Sequence, residues 1–241
     1  QADGRPLSFS RTNAARSGLT SAVSSSQSPL VATVPDEPVT VMLSKGGWVR
    51  TRQGHGIDPQ TLSWKSGDEA FLVAEARTPW PLILIDTTGR AFSVRIGDLP
   101  GGRGDGVPIS SLIELQPGAR IAQALADEPS RDYFFANSGS YGFIAKLEDL
   151  VTRQRAGKAF MTLEDKEVVL APARVEGDWL AAASGNGRLL YFPRAEMKVM
   201  PRGRGMIVMG LDEKEELCAI CCPPTDAVVV TGAGRGGKDV E

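Results

Sequence analysis

The chain has 241 residues, 41% of them hydrophobic, and a formal net charge of -2. That length can bury the core of one large or two small domains, and no apolar run approaches the roughly 20 residues that span a bilayer. The near balance of charge neither announces nor excludes a nucleic-acid partner, because phosphate binding depends on cations clustered on one surface.

Residues 1–34 are rich in Ser, Thr, Ala and Arg, contain a single acid, Asp3, and show no sustained apolar period. Such a composition cannot bury enough surface to order itself. It is expected to be a disordered tail, a linker or an artificial extension. An Arg-rich, Ser-rich, acid-poor stretch also suits an organellar transit peptide, but the segment does not begin with methionine, which favours a linker.

From Pro35 onward the sequence repeats. A small residue at a hairpin turn serves as anchor: Gly47 in "SKGGWVRT", Gly89 in "DTTGRAFSV", Ser140 in "SGSYGFIAK", Gly187 in "SGNGRLLYF" and Gly234 in "TGAGRGGK", spaced 42, 51, 47 and 47 residues apart. A short apolar run precedes each ("VTVML", "PLILI", "YFFA", "WLAAA", "AVVV") and an alternating run follows most, which is the pattern of a β-hairpin.

Ten residues past the first four anchors stand Ile57, Leu99, Leu150 and Met197, a constant offset that predicts a core position. Asp98, Asp149 and Glu196 precede three of them, and their repetition suits a turn or strand cap better than paired catalytic carboxylates. Further along come "GGRGDG" (101–106), "RQRAGKA" (153–159) and "RGRG" (202–205), each followed by another apolar run, "PISSLIEL", "FMTL" or "MIVMGL". Four short strands per unit of about 45 residues is the period of a propeller blade. No stretch carries a convincing amphipathic helix, so the chain is expected to be all-β, with about five four-stranded blades over residues 35–241 and the last one incomplete.

The basic turns are the candidate site. Arginine forks match phosphate oxygens, lysine supplies a mobile point charge, and glycine lets backbone N–H groups approach a ligand. Arg103, Arg153, Arg155, Lys158, Arg202 and Arg204 from the inter-strand turns, with Arg50, Arg52, Arg90, Arg188, Arg235 and Lys238 near the hairpins, form a sequence-independent clamp if a propeller gathers them on one rim. Any single charged turn is more often merely solvated.

Other residue types point to no chemistry. Cys218, Cys221 and Cys222 in "LCAICC" make one CxxC-like pair without a second, and are expected to be reduced core residues of a strand in a reducing, cytosolic compartment. His55 stands alone. Trp48, Trp64, Trp80 and Trp179 are expected in core or inter-blade packing.

The repeats resemble the C-terminal domain of the A subunit of bacterial type IIA topoisomerases, gyrase A and topoisomerase IV A, and more closely the topoisomerase IV (ParC) branch. The match is carried by "EPVTVMLSKGGWVRTRQGHGID" (37–58), "DTTGRAFSV" (86–94), "YGFIAKLEDLVTRQRAGKAFMTL" (141–163) and "GNGRLLYFP" (185–193).

The resemblance implies a β-pinwheel, a propeller-like ring or open spiral whose blades exchange strands with their neighbours and whose outer rim binds and bends double-stranded DNA. In gyrase a Gln-Arg-Arg-Gly-Gly-Lys-Gly box wraps the duplex. Here "RQRAGKA" keeps Arg155, Gly157 and Lys158 at matching places, while Arg153, Gln154, Ala156 and Ala159 depart, which implies bending with only weak wrapping.

The implied role is non-catalytic: to help capture the transported duplex and set substrate preference between decatenation and supercoil relaxation. The domain itself would need no cofactor. The parent enzyme would use ATP and Mg2+, with the ATPase subunit (ParE) and the N-terminal part of the same polypeptide as partners in a cytoplasmic heterotetramer. No catalytic-tyrosine region or nucleotide-binding loop stands in the chain, since Tyr133, Tyr141 and Tyr191 all fall in repeat strands or hairpins. The alternatives are a gyrase-type wrapping domain and a propeller that serves as a protein-interaction platform.

Overall fold

The computed structural model describes residues 35–58, 61–102 and 104–224, together with the backbone of two short strands near the C-terminus. Residues 1–34, and with them the expected tail, lie outside the described residues.

Each repeat opens with the expected hairpin. β1 (Pro38–Ser44) pairs with β2 (Trp48–Gln53), β4 (Pro81–Asp86) with β5 (Arg90–Arg95), β8 (Asp132–Ala136) with β9 (Tyr141–Lys146), and β12 (Trp179–Ser184) with β13 (Leu189–Pro193). The first strand of each hairpin gains a second antiparallel neighbour from later in its repeat: β3 (Ala70–Arg77), β7 (Ile121–Ala126), β11 (Ala173–Arg174) and β15 (Leu217–Cys221).

The fourth strand comes from the following repeat. β6 (Val107–Pro108) adds to β2, β10 (Lys158–Ala159) to β5, and β14 (Met206–Ile207) to β9. The sheets therefore run β3-β1-β2-β6, β10-β5-β4-β7, β11-β8-β9-β14 and β13-β12-β15. Among the described residues β13 has no fourth partner. In the fifth repeat, β16 (Gly232–Ala233) pairs with β17 (Asp239–Val240). This is the all-β pinwheel with strand exchange, and no α-helix occurs among the described residues.

The central apolar runs lack clean alternation because the second and third blades are packed on both faces. Successive strand residues point to opposite faces. Leu82 and Leu84 of β4 join Val41, Leu43 and Val49 in one core cluster, whereas Ile83 and Ile85 join Phe135, Phe143 and Phe160 in the next. Phe134 and Ala136 of β8 face forward onto Leu180 and Ala182. Strands buried on both faces read as continuous Val, Ile and Leu, as all six buried residues of β4 show.

The anchors are the turn residues the spacing predicts. Gly47, Gly89, Ser140 and Gly187 each donate an N–H to the residue three positions back, with φ between 66 and 81. Ser140 takes a conformation that costs a side-chain-bearing residue about 1–2 kcal/mol. Its hydroxyl offsets that cost by donating to the Met209 carbonyl at 2.7 Å and accepting the Met209 N–H at 2.9 Å. The anchors also receive the exchanged segments: Ile109, Met161 and Val208 donate to the carbonyls of Gly47, Gly89 and Ser140 at 2.7, 2.8 and 2.8 Å.

Several expectations change in detail. Leu99, Leu150 and Met197 are buried, but Ile57 is only half-buried, because β2 leads into an open loop instead of the 3-10 turn that follows the other hairpins. The runs "PISSLIEL", "FMTL" and "MIVMGL" contribute at most two ladder residues each, since the chain turns inward to the core after a brief exchange. Cys222 is buried, but Cys218 is exposed, which corrects the expectation of three core thiols. The four tryptophans are all half-buried, with Trp179 stacked on Tyr191 at 4.8 Å and Lys65 over the Trp48 ring at 3.1 Å.

Candidate nucleic-acid interface

Strand exchange positions the basic turns. Before its fourth strand, each incoming segment runs along the middle of the hairpin's second strand. Thr51 donates to the Pro100 carbonyl at 2.9 Å, the Ser93 hydroxyl donates to the Thr152 carbonyl at 2.7 Å, and Ile144 donates to the Lys198 carbonyl at 2.9 Å. These three positions align through the hairpin registers. Each basic turn consequently leaves the same part of its sheet.

The turn at 153–157 is the best defined. Gly157 is buried with φ 66 and closes the turn by donating to the Gln154 carbonyl at 3.0 Å. A Cβ there would stand 2.7 Å from both the Ala91 carbonyl oxygen and the Phe92 ring, so the glycine permits close approach as well as the reversal. Lys158 then pairs with Ala91, and Phe160 enters the core with its ring 4.8 Å from Phe135 and 5.4 Å from Phe143.

Arg153 and Arg155 stay exposed. Arg155 donates to the Ser111 carbonyl at 2.6 Å and accepts the Glu114 N–H on its own carbonyl at 2.7 Å, which ties the turn to the segment that follows the first exchanged strand. Lys158 donates to the Val151 carbonyl at 2.9 Å. Burial lowers its pKa below the ordinary lysine value, opposed by Asp149 and reinforced by Arg202.

Arg202 is close because the third turn packs on the segment that leaves the second. Gly203 donates to the Phe160 carbonyl at 2.8 Å, and Thr162 donates back to the Gly203 carbonyl at 3.1 Å. The cations of two repeats thus share one surface. Arg153 and Arg155 also line an open groove of about 800 Å³, together with Trp80, Pro81, Val94 and Thr152.

Four of the sequence-predicted cations are turned onto the protein. Arg50 is buried, with its guanidinium donating to the Gly104 and Ser63 carbonyls. Arg90 donates to the Ala156 and Gly157 carbonyls. Arg188 reaches the Gly210 carbonyl and pairs with Glu215 at 3.0 Å. Arg204 pairs with Glu167 at 2.7 Å and lies over the Tyr141 ring at 4.0 Å. Arg52, at the end of β2, and Arg202 are exposed. Arg103, Arg235 and Lys238 lie outside the described residues.

Sequence reasoning missed Ser93 and Thr152, whose reciprocal bonds seat the second turn, with Thr152 N donating to Ser93 Oγ at 2.9 Å. Alignment of the repeats at their anchors would have marked Ser93 as the partner of Thr51.

The remaining candidates are structural. Nε2 of His55 lies 2.8 Å from the Ala76 carbonyl. Asp98 pairs with Arg95 at 3.2 Å, and Asp149 accepts the Lys146 N–H at 3.2 Å, both within 3-10 turns that follow the hairpins. Glu196 sits in the corresponding 3-10 turn of the fourth repeat. Burial, and then neighbouring Cys222, push the Cys221 thiol up, away from a reactive thiolate. Among the described residues no group of three or more His, Cys, Asp and Glu side chains converges, and no helix is long and apolar enough to cross a membrane.

Comparison with known proteins agrees with this geometry. The family model described as the DNA gyrase C-terminal domain, beta-propeller, matches residues 131–176 and 178–221, the third and fourth hairpin repeats. The A subunit of DNA topoisomerase 4 from Neisseria gonorrhoeae is 38% identical over 219 residues, 86% of this chain, and that from Escherichia coli K12 is 35% identical over 184 residues, 76% of this chain. The chain spans about 28% of the length of the first and 24% of the second.

The solved structure of the E. coli ParC C-terminal domain superposes with a TM-score of 0.74 at 32% identity, covering 78% of this chain and 80% of that one. A gyrase A C-terminal domain shares the fold at 20% identity, with a TM-score of 0.55 over 77% of this chain and 64% of that one. With its exchanged strands, hairpin repeats and these relatives, the chain belongs to the family of C-terminal β-pinwheel domains of the bacterial gyrase A and topoisomerase IV A proteins.

Proposed function

We propose that this domain binds and bends duplex DNA for the ParC-type chain of a topoisomerase IV, helping to capture the transported duplex and setting the preference between decatenation and supercoil relaxation. The observation that carries the reading is the seating of the third basic turn on the segment that leaves the second, with the Gly203 N–H 2.8 Å from the Phe160 carbonyl. That contact places Arg202 beside Lys158, next to exposed Arg153 and Arg155. Phosphates attract such a cluster whatever the base sequence.

Arg52 is the exposed hairpin cation of the contact, and Arg103, Arg235 and Lys238, which lie outside the described residues, are further candidates for it. Arg50, Arg90, Arg188 and Arg204 serve it by shaping the blades. In the parent enzyme the domain would act in the cytoplasm, beside the ATPase subunit (ParE) and the N-terminal part of its own polypeptide. ATP and Mg2+ would be used elsewhere in that assembly.

A gyrase-type wrapping domain is the second reading. Ala156 and Ala159 stand where the wrapping box has glycine, so the turn presents less open backbone to the duplex, which favours bending. A ligation assay separates the two, since strong wrapping leaves superhelical turns in closed circles.

The direct test is a mobility shift on duplex DNA with Arg153, Arg155 and Lys158 changed together to Ala. The triple variant is expected to bind at least about tenfold more weakly, about 1.4 kcal/mol or more. Undiminished binding moves the contact elsewhere, and a domain that binds no DNA leaves the protein-interaction platform.

A further inference from the structure

We infer that Arg90 is a positioning residue for the DNA contact: it holds the main chain of the basic turn so that Arg153, Arg155 and Lys158 present their charges together, and does not itself meet a phosphate. This rests on the DNA-binding reading above.

Arg90 opens β5, where the Asp86 carboxylate accepts its N–H at 3.0 Å. From there its Nε and Nη2 donate to the Ala156 carbonyl at 3.2 and 2.8 Å, and Nη2 also reaches the Gly157 carbonyl at 3.0 Å. A guanidinium presents its donors in a rigid planar fork, and this edge of the fork is committed to two successive carbonyls. Those carbonyls flank the point where the chain reverses at positive φ before entering β10. The opposite side of the turn is fixed by Arg155, through Ser111 and Glu114. The turn is therefore clamped between two sheets, and Arg90 is the clamp supplied by its own.

The same position recurs as a support. By register, Arg90 aligns with Trp48, Tyr141 and Arg188, each just before the first paired residue of the second hairpin strand. In the third sheet Tyr141 carries Arg204 of the incoming "RGRG" turn over its ring at 4.0 Å. In the fourth, where no exchanged strand is described, Arg188 folds back to the Gly210 carbonyl, Asp212 and Glu215. Where an exchanged basic turn arrives at the second and third sheets, this residue meets it.

A double-mutant cycle on duplex DNA at low salt tests the role. Arg90→Ala alone is expected to weaken binding by about fivefold to tenfold, and by less than about twofold when Arg153, Arg155 and Lys158 are already Ala, because an indirect effect vanishes with the groups it acts through. An equal loss in both backgrounds would show a phosphate contact made by Arg90 itself and overturn the inference.

Arg90→Lys keeps the charge but cannot fork across two carbonyls, and is expected to lose nearly as much as Arg90→Ala. Full affinity in Arg90→Lys overturns the inference too, and this variant carries the test if Arg90→Ala does not fold. If the triple variant binds like the unmodified domain, the underlying reading fails. If the triple variant loses affinity and neither Arg90 variant does, only the role of Arg90 fails.

Discussion

At the scale of single residues, each of the first four hairpin turns is closed by an oxygen at its first position. Ser44, Asp86, Asn137 and Ser184 accept the N–H four residues on, at 3.0, 3.0, 2.9 and 3.3 Å. In three blades a carboxylate from the loop before the third strand joins them: Asp68 accepts the Gly46 N–H, Glu167 the Asn137 amide and Glu215 the Ser184 hydroxyl. Each of these acids follows a residue at positive φ, Gly67, Lys166 or Lys214. In the second blade the residue after Gly118 is Ala119, and the acid is Asp86 on the turn itself. The carboxylate has changed strands while the turn kept one.

The N–H of Asp212, the Ser184 hydroxyl and Arg188 hold Glu215 below the usual carboxylate range, against its burial. These acids also explain why Arg188 and Arg204 turn inward. Carboxylates needed for turns attract the nearest guanidinium through charge-assisted hydrogen bonds.

Lys158 shows the opposite balance, since burial lowers its pKa. The unfolded chain then holds this proton more tightly than the folded one, so the fold gains stability as pH rises through the window between the two values. The DNA contact loses a charge in the same window. Affinity should accordingly begin to fall at a pH below the ordinary lysine range. In Lys158→Arg, which keeps its charge, a titration of affinity against pH should show the fall moved upward. An unshifted curve would remove Lys158 from the contact.

At the scale of elements, the exchanged segment is the unit that joins core to site. Lys158, Ala159 and Phe160 are consecutive, so a charge at the surface and a ring among Phe135, Phe143 and Met161 belong to one stretch of backbone. Gly157 sets the geometry of that stretch. Gly157→Ala should lower stability by about 1–3 kcal/mol, because φ 66 is strained for alanine and the added Cβ meets the Ala91 carbonyl and the Phe92 ring. Chemical denaturation measures the loss, and DNA affinity should fall with it. An unchanged midpoint would mean that the turn rearranges without cost.

The hairpins were legible in the sequence because both the turn and the apolar run are local. The brevity of "FMTL" as a strand was not, since only two residues of that region find a ladder partner, and the partner belongs to the preceding blade. The run "YFFA" marked its strand in the same way, and β8 occupies Asp132–Ala136.

At the scale of the molecule, binding should be a collective electrostatic effect. A chain of net charge -2 has no general attraction for a polyanion, so the attraction must be local and screened by salt. Binding measured across a salt series should give a log-log slope of about 0.9 per phosphate neutralised, and the triple Ala variant should lose about two to three units of it. A slope near zero in the unmodified domain would remove phosphate contact as the basis of affinity.

The sequence by itself determined the repeat, the hairpins, the all-β class and the presence of basic turns at recurring offsets, because these depend on contacts within a few residues. It did not separate Arg153, Arg155 and Arg202 from Arg50, Arg90, Arg188 and Arg204, which look alike as cations beside glycines. Only the tertiary structure showed which of them stay exposed and which are held by protein groups. A guanidinium turns onto the protein where folding leaves a carbonyl or carboxylate to hold it, as Gly104 holds Arg50, Gly157 Arg90, Glu215 Arg188 and Glu167 Arg204, and most of these partners lie far off in sequence.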